Sequence, residues 1–472
     1  MLLSEVAKAV NGQLHSVNPG ADIEPQSIGT DSRNILKNQL FIAIKGEHFD
    51  GNTFASDAIK QGAAAVIVSD ANTEARPAVV VKDTRLALGA LAKYWRNQFT
   101  LPLVAVTGSN GKTTVKEMIV AILKAANKSV LATQGNLNND IGMPMTLLNL
   151  NNKHDVAVIE MGMSHLGEID YLTRIAQPTI ALINNAGTAH IGELGSRENI
   201  AKAKGEIFTG LSNNGIALIN ADDDHANYWK SLNLGKTIIT FGLNRQADIS
   251  AIFVENDGLS EVQLSTPNGS VSFNLAVLGK HNISNALAAS AAALALGVTN
   301  ADIARGLSGM QAVYGRLQRK LGFNGAVLID DTYNANPDSM RAAINILASQ
   351  KSIQQPSTIF VMGDMGELGE NAPQMHAEVG LYAKQKGIQQ FFTFGDLSAK
   401  ASQVFGTQGF GEGAQHFSSL ESLVDTLKAK MKPGVTVLVK GSRFMKMERV
   451  VTEILAIEVS EEKHEREKTQ CC

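Results

Sequence analysis

The stretch "LVAVTGSNGKTTVKEMIVAIL", Leu103 to Leu123, restricts this chain to a narrow set of folds. An apolar run ends in a turn holding glycine, Lys112 and two threonines follow, and apolar residues then recur at helical spacing. A buried strand, a tight turn and a helix opening on lysine make a phosphate cradle. The backbone N–H groups of Ser109 to Thr113 can point inward, and the helix N-terminus adds partial positive charge. Lys112 supplies charge for β and γ phosphates, and the Thr113 hydroxyl suits Mg²⁺. Val106 stands where the usual loop has its first glycine, and only Gly108 precedes Gly111, so this is a variant of that loop. Such a unit belongs to a parallel α/β sheet.

The rest of the chain continues the pattern. "DVAVIEMG", "TIALINNAG", "GIALINAD" and "KTIITFG" are strand-length apolar runs separated by helical patterns, which predicts a mostly parallel sheet. "DISAIFVENDGLSEVQLSTPNGSVSFNLAV" alternates at period two with turns at "NDG" and "PNG", predicting a small antiparallel hairpin pair. The helix "NISNALAASAAALALG" is expected to end on Gly297. From Tyr314 on, "GAVLIDDTYNANP", "STIFVMGDMGELG", "QFFTFG" and "VTVLVKGSR" predict a second α/β sheet of dinucleotide-fold type. These patterns divide the 472 residues into a small α/β domain (1–83), a central phosphate-loop domain (84–313), a C-terminal Rossmann-like α/β domain (314–459) and a charged flexible tail (460–472).

Charge excludes some classes of partner. A net charge of −3 offers no overall basic field for nucleic acid or anionic lipid. No apolar run approaches the roughly 20 residues needed to span a bilayer. "MLLSEVAKAVNGQL" reads as an amphipathic helix and not as a signal peptide. The only cysteines, Cys471 and Cys472, cannot staple the fold, so a reducing cytosol is the expected compartment. No C-a-a-X signal accompanies them. Glu160, closing "DVAVIE", is the candidate metal-directing acid, and no guanine-reading N-K-x-D segment is present, so ATP is preferred.

Further segments narrow the chemistry. "NNAGTAHIGELGSRENIAKAKGEIF" places His190 after a strand end and Lys202 and Lys204 in the next helix. "LGKHNISNALAA" sets His281, Asn282 and Asn285 at a helix start, and "YGRLQRK" and "DDTYNANPDSM" bring Arg316, Asp331, Asn334 and Asn336. Singly, each has an ordinary structural explanation: a capping histidine, a solvated lysine face, an Asn-Pro turn.

Together, in order from about residue 25 to 455, these segments resemble the Mur ligases, the ATP-dependent amide-forming enzymes of bacterial cell-wall precursor synthesis. Within that family "DDTYNANPDSM" resembles the wording of the member that joins D-alanyl-D-alanine to UDP-N-acetylmuramoyl-tripeptide. The resemblance implies an ADP-forming reaction through an acyl phosphate in the bacterial cytoplasm, with a monomeric enzyme. It implies ATP contacts from Thr107, Gly108, Ser109, Asn110, Gly111, Lys112, Thr113, Thr114, Asn282, Asn285, Arg316 and Asp331. It implies two Mg²⁺ ions held by Thr113, Glu160, His190 and Lys204, the last as a carbamate, with Lys112, Glu160, His190 and Lys204 catalytic. Ser32 and Arg33 of "TDSR" would contact the uridine diphosphate. Asn334 and Asn336 would contact the peptide, as would Asp364, Glu367, Lys440 and Arg443 at strand ends of the third sheet, the edge that ligands favour in an open α/β sheet. Asn52 departs from the family's usual histidine. Two alternatives remain: another ligase of the same plan, such as folylpolyglutamate synthase, or a phosphate-loop kinase or nucleotide switch.

Overall fold

The computed structural model describes residues 1–15, 22–46, 49–256, 258–350, 357–407 and 413–456. The tail and both cysteines lie outside the described residues. Three α/β domains follow one another, as expected. The N-terminal sheet has strand order Gln13–His15, Ala78–Val80, Ala65–Val68, Gln39–Ile42, Ser27–Gly29, parallel except for its first pair. Helix Thr84–Arg96, capped by Asp83, leads into the central domain.

The central sheet has six parallel strands in the order Thr237–Phe241, Ile216–Asn220, Ile180–Ile183, Leu103–Thr107, Val156–Glu160, Val130–Ala132. Strand Leu103–Thr107 is buried on both faces, which is why it reads as an unbroken apolar run. Strands Ser250–Asn256, Leu259–Thr266 and Gly269–Leu275 form the expected antiparallel pair of hairpins. Val262 and Leu264 point inward from the alternating middle strand and join the apolar cluster around helix Lys112–Ala125. Helix Lys280–Ala295, with Gly297 at φ 76° just beyond it, also packs there.

The C-terminal sheet has the order Gln318–Leu321, Val327–Asp331, Val435–Lys440, Ser357–Gly363, Gln390–Phe394, Ala414–Phe417, parallel except for the first pair. Its two edge strands, "QRKL" and "AQHF", were not expected. Both are short and carry polar or charged residues, as exposed edges often do. Among the described residues no helix is long and apolar enough to cross a membrane.

Candidate active site

The phosphate loop emerges where strand Leu103–Thr107 ends, and helix Lys112–Ala125 starts after Gly111. Gly111 sits at φ 80°, and a Cβ there would come within 2.4 Å of Asn285 Oδ1 and 2.6 Å of Asn184 Nδ2. Only glycine allows both that backbone and that approach. The loop is tied to the segment after the next strand. Asn110 N–H donates to Asn185 Oδ1 (2.9 Å), Gly187 N–H to Ser109 Oγ (2.9 Å) and Asn184 Nδ2 to Asn110 O (3.0 Å). Lys112 Nζ donates to Gly108 O at 2.7 Å. Desolvation lowers the Lys112 pKa; the Glu160 and Glu367 carboxylates oppose that shift and the Arg316 cation adds to it.

Across from the loop stands the C-terminal domain, and between them lies a cavity of 530 Å³. Arg316 Nη2 donates to Thr113 Oγ1 at 3.1 Å, and its guanidinium lies 4.3 Å from the Tyr333 ring centroid. Asp331 accepts from Lys440 Nζ at 2.6 Å, and Lys440 also donates to Asn334 O at 2.9 Å. Burial raises the Asp331 pKa, while Lys440 and Arg316 oppose that shift. Ser109 to Thr114, His190, His281, Asn282, Asn285, Arg316, Asp331, Asn334, Asn336 and Lys440 all line this one cavity. Residues separated by more than 300 positions thus share a wall made of phosphate-compatible donors and cations.

Glu160 and Lys204 lie behind the cavity lining, each 2% exposed. Glu160 Oε1 accepts from Asn138 Nδ2 at 2.7 Å, while Oε2 is buried with no partner. A buried carboxylate oxygen left unpaired is costly, and a cation would satisfy it. With the Thr113 hydroxyl it gives two hard oxygen donors, which suit Mg²⁺. Among the described residues no three His, Cys, Asp or Glu side chains converge, and Mg²⁺ does not require a full protein cage because it keeps waters and substrate phosphates. His190, at φ 63°, has Nδ1 2.8 Å from Glu367 Oε2, close in distance but outside hydrogen-bond geometry. Lys204 lies on the inward face of helix Arg197–Gly205, whereas Lys202 is exposed. Desolvation holds the Lys204 pKa well below the usual lysine value; the Lys112 charge adds to this and Asp223 opposes it.

Some expected site residues stand outside this lining, and others already hold protein partners. Thr107 is fully buried, its hydroxyl donating to Met161 O at 2.9 Å, and neither it nor Gly108 lines the cavity. Asn336 caps helix Pro337–Ser349 and donates to Asn110 Oδ1 at 2.8 Å, so it joins two domains. The Asp364 carboxylate accepts from Ser398 N–H (2.7 Å) and Leu397 N–H (3.2 Å), away from the cavity. Arg443 also stands outside the lining, 3.1 Å from Glu448. The amide nitrogens of Asn282 and Asn285 donate to Leu278 O and Asn282 Oδ1, so one of the two N–H donors of each is already engaged within the protein. In the N-terminal domain Arg33 pairs with Asp31 at 2.8 Å, and Ser32 lies beside them. Asn52 bridges Asp50, Ser69 and the Asp70 N–H, so the amide serves the local loop. Glu367, expected beside Asp364, lines the cavity, whereas Asn184, Asn185, Tyr333 and Asp338 were not singled out from the sequence. Their partners lie on distant segments, and no local spacing marks them.

A phosphate loop facing cations of a second α/β domain across one cavity suits a nucleotide, and the relatives that share this plan place the chain among ATP-dependent ligases. The chain belongs to the Mur ligase family: the Mur ligase catalytic domain matches residues 24–96, the middle domain 106–293 and the glutamate ligase domain 315–443. It is 43% identical to the UDP-N-acetylmuramoyl-tripeptide--D-alanyl-D-alanine ligase of Escherichia coli (strain K12), over 95% of this chain and 97% of the relative. A crystal structure of MurF from Acinetobacter baumannii is 38% identical with TM-score 0.87, covering 95% of this chain and 97% of that one. A MurF ligase from Thermotoga maritima in complex with ADP is 27% identical with TM-score 0.79, covering 91% and 97%.

Proposed function

We propose that this chain joins D-alanyl-D-alanine to UDP-N-acetylmuramoyl-tripeptide, converting ATP to ADP and phosphate, as the last cytoplasmic step toward the pentapeptide precursor of peptidoglycan. The observation that carries this reading is the cavity itself, a phosphate loop facing Arg316, Asp331 and Lys440 in a chain that aligns over nearly its full length with relatives of that name.

The tripeptide carboxylate attacks the γ-phosphorus of ATP and ADP leaves, which makes an acyl phosphate. The dipeptide amine then attacks the acyl carbon and phosphate departs. Lys112 exchanges its Gly108 carbonyl for phosphate oxygens and clamps charge there, and Arg316 brings a second cation from the opposite wall. Thr113 and Glu160 would hold Mg²⁺, with His190 and Lys204 near a second ion; bound there, the metal neutralises phosphate charge and orients the oxygens. The contact between domains excludes water that would hydrolyse the acyl phosphate. The linker at 310–315 is the hinge of this reading, between domains bounded at 83, 313 and 459.

Burial lowers the Lys204 pKa and so favours the neutral amine, the form that adds CO₂ to become a carbamate. Incubation with ¹³C-bicarbonate is expected to give one carbamate carbon resonance that Lys204→Ala lacks. Full activity of that variant without added CO₂ would contradict this role. The enzyme of this reading acts as a monomer, and sedimentation tests that. ATP as a substrate supports a cytoplasmic location.

The deciding assay is phosphate release with UDP-N-acetylmuramoyl-tripeptide, with and without D-alanyl-D-alanine. Release that needs both, with the mass of the pentapeptide product, is expected. Release with neither would indicate a plain ATPase or kinase.

A further inference from the structure

We propose that Asp338 is a positioning residue that makes closure of the C-terminal domain and placement of His190 a single event; its catalytic consequence rests on the ligase reading above. Asp338 lies in the first turn of helix Pro337–Ser349, a common place for an acid that serves its own helix. Here Asn336 and Ser339 already cap that helix reciprocally. Asp338 Oδ2 instead accepts two hydrogen bonds from the central domain, from Thr188 N–H at 2.7 Å and Thr188 Oγ1 at 2.9 Å. The approach is so close that a Cβ on Gly187 would lie 2.4 Å from the same oxygen. Two residues beyond Thr188 stands His190 in its left-handed conformation. Beyond it Gly192 N–H donates to Glu367 O at 3.1 Å, while Glu367 Oε2 sits beside the His190 ring.

The C-terminal domain therefore grips the 187–192 segment at both ends, through Asp338 before His190 and through Glu367 after it. The left-handed backbone of His190 is uncommon outside glycine, and these contacts fix the segment on either side of it. If the domain moves away, both grips are lost together and the histidine is released from its position. A charge-assisted pair of hydrogen bonds to one carboxylate oxygen is the stronger of the two grips.

Amide hydrogen exchange on the full chain without substrates, followed by turnover, tests this. Asp338→Ala is expected to speed exchange across 187–192 while protection of helix Pro337–Ser349 beyond its first turn stays as it was. It is expected to lower kcat by about tenfold or more with a smaller change in the KM for ATP, as loss of charge-assisted bonds implies. Thr188→Val should lose less, and Asp338→Ala/Thr188→Val should be no worse than Asp338→Ala, because the hydroxyl then has no partner to lose. Asp338→Asn, which keeps the size of the side chain, should fall between wild type and Asp338→Ala, and serves if the alanine variant folds poorly. Unchanged exchange at 187–192, or additive losses in the double variant, would overturn the proposal. Absence of wild-type turnover with these substrates would overturn the ligase reading alone, since the exchange result stands without them.

Discussion

Lys116 stands one helical turn after Lys112 and is 1% exposed. Its Nζ donates to Thr133 O and approaches Glu117 Oε1, both at 2.6 Å, and Thr133 Oγ1 accepts the Glu160 N–H at 2.9 Å. In sequence it looks like one more polar residue on the solvent face of an amphipathic helix; the fold turns that position toward a neighbouring strand loop. Lys116→Met, which keeps the stem and removes the charge, leaves Thr133 O unpaired, and chemical denaturation is expected to show a loss of about 1–3 kcal/mol. His376 is a second buried group of this kind. Nδ1 faces Ala372 O at 2.7 Å and Nε2 faces the Met365 N–H at 2.9 Å, which sets the neutral tautomer. Burial lowers its pKa, against the Ala372 carbonyl and Asp364. The unfolded chain therefore binds the proton more readily, so this contribution is fully present above the unfolded value of about 6.5 and is lost as pH falls from there through the lowered folded value. His376→Gln is expected to flatten the decline of Tm in that acidic window. An unchanged slope would place the titrating group elsewhere.

At the scale of elements, helix Asn300–Ser308 supports the cradle by lying against helix Lys112–Ala125. The two approach most closely at Gly306, where a Cβ would come 2.4 Å from Ile122 Cα. Backbone cannot yield as a side chain tip can, so Gly306→Ala should force the helices apart and cost about 1–3 kcal/mol by denaturation. In sequence this glycine only weakens a helical pattern, and nothing in it marks the partner helix. The strands preceding active loops were legible because each is a buried apolar run bounded by a turn. The edge strands Gln318–Leu321 and Ala414–Phe417 were not, because pairing on one side only leaves a short polar stretch with no distinct period.

For the whole molecule, the cavity has one wall from the central domain and one from the C-terminal domain. A nucleotide touching both should stabilise them together. ADP with Mg²⁺ at 100 times its Kd is expected to add about 2.7 kcal/mol to unfolding. Calorimetry should then show the transitions of these two domains moving upward jointly. If only one transition moves, the nucleotide rests on one domain and Arg316 is not its second clamp.

The sequence by itself determined the succession of α/β domains, the phosphate turn and the groups able to serve it, because periodicity and turn chemistry act over a few residues. It named Lys112, Thr113 and Arg316 for one centre through resemblance, and the structure brings all three to one cavity. Only the tertiary structure decided which polar residues face that cavity and which are consumed elsewhere. Asp364 caps a loop away from the cavity, while Asn336 and Asp338 line it and spend hydrogen bonds on Asn110 and Thr188, although all three follow a strand end and look equally available. The physical reason is that a hydrogen-bonding side chain is satisfied by whatever the packing of distant elements places within about 3 Å, and that distance has no counterpart in sequence spacing.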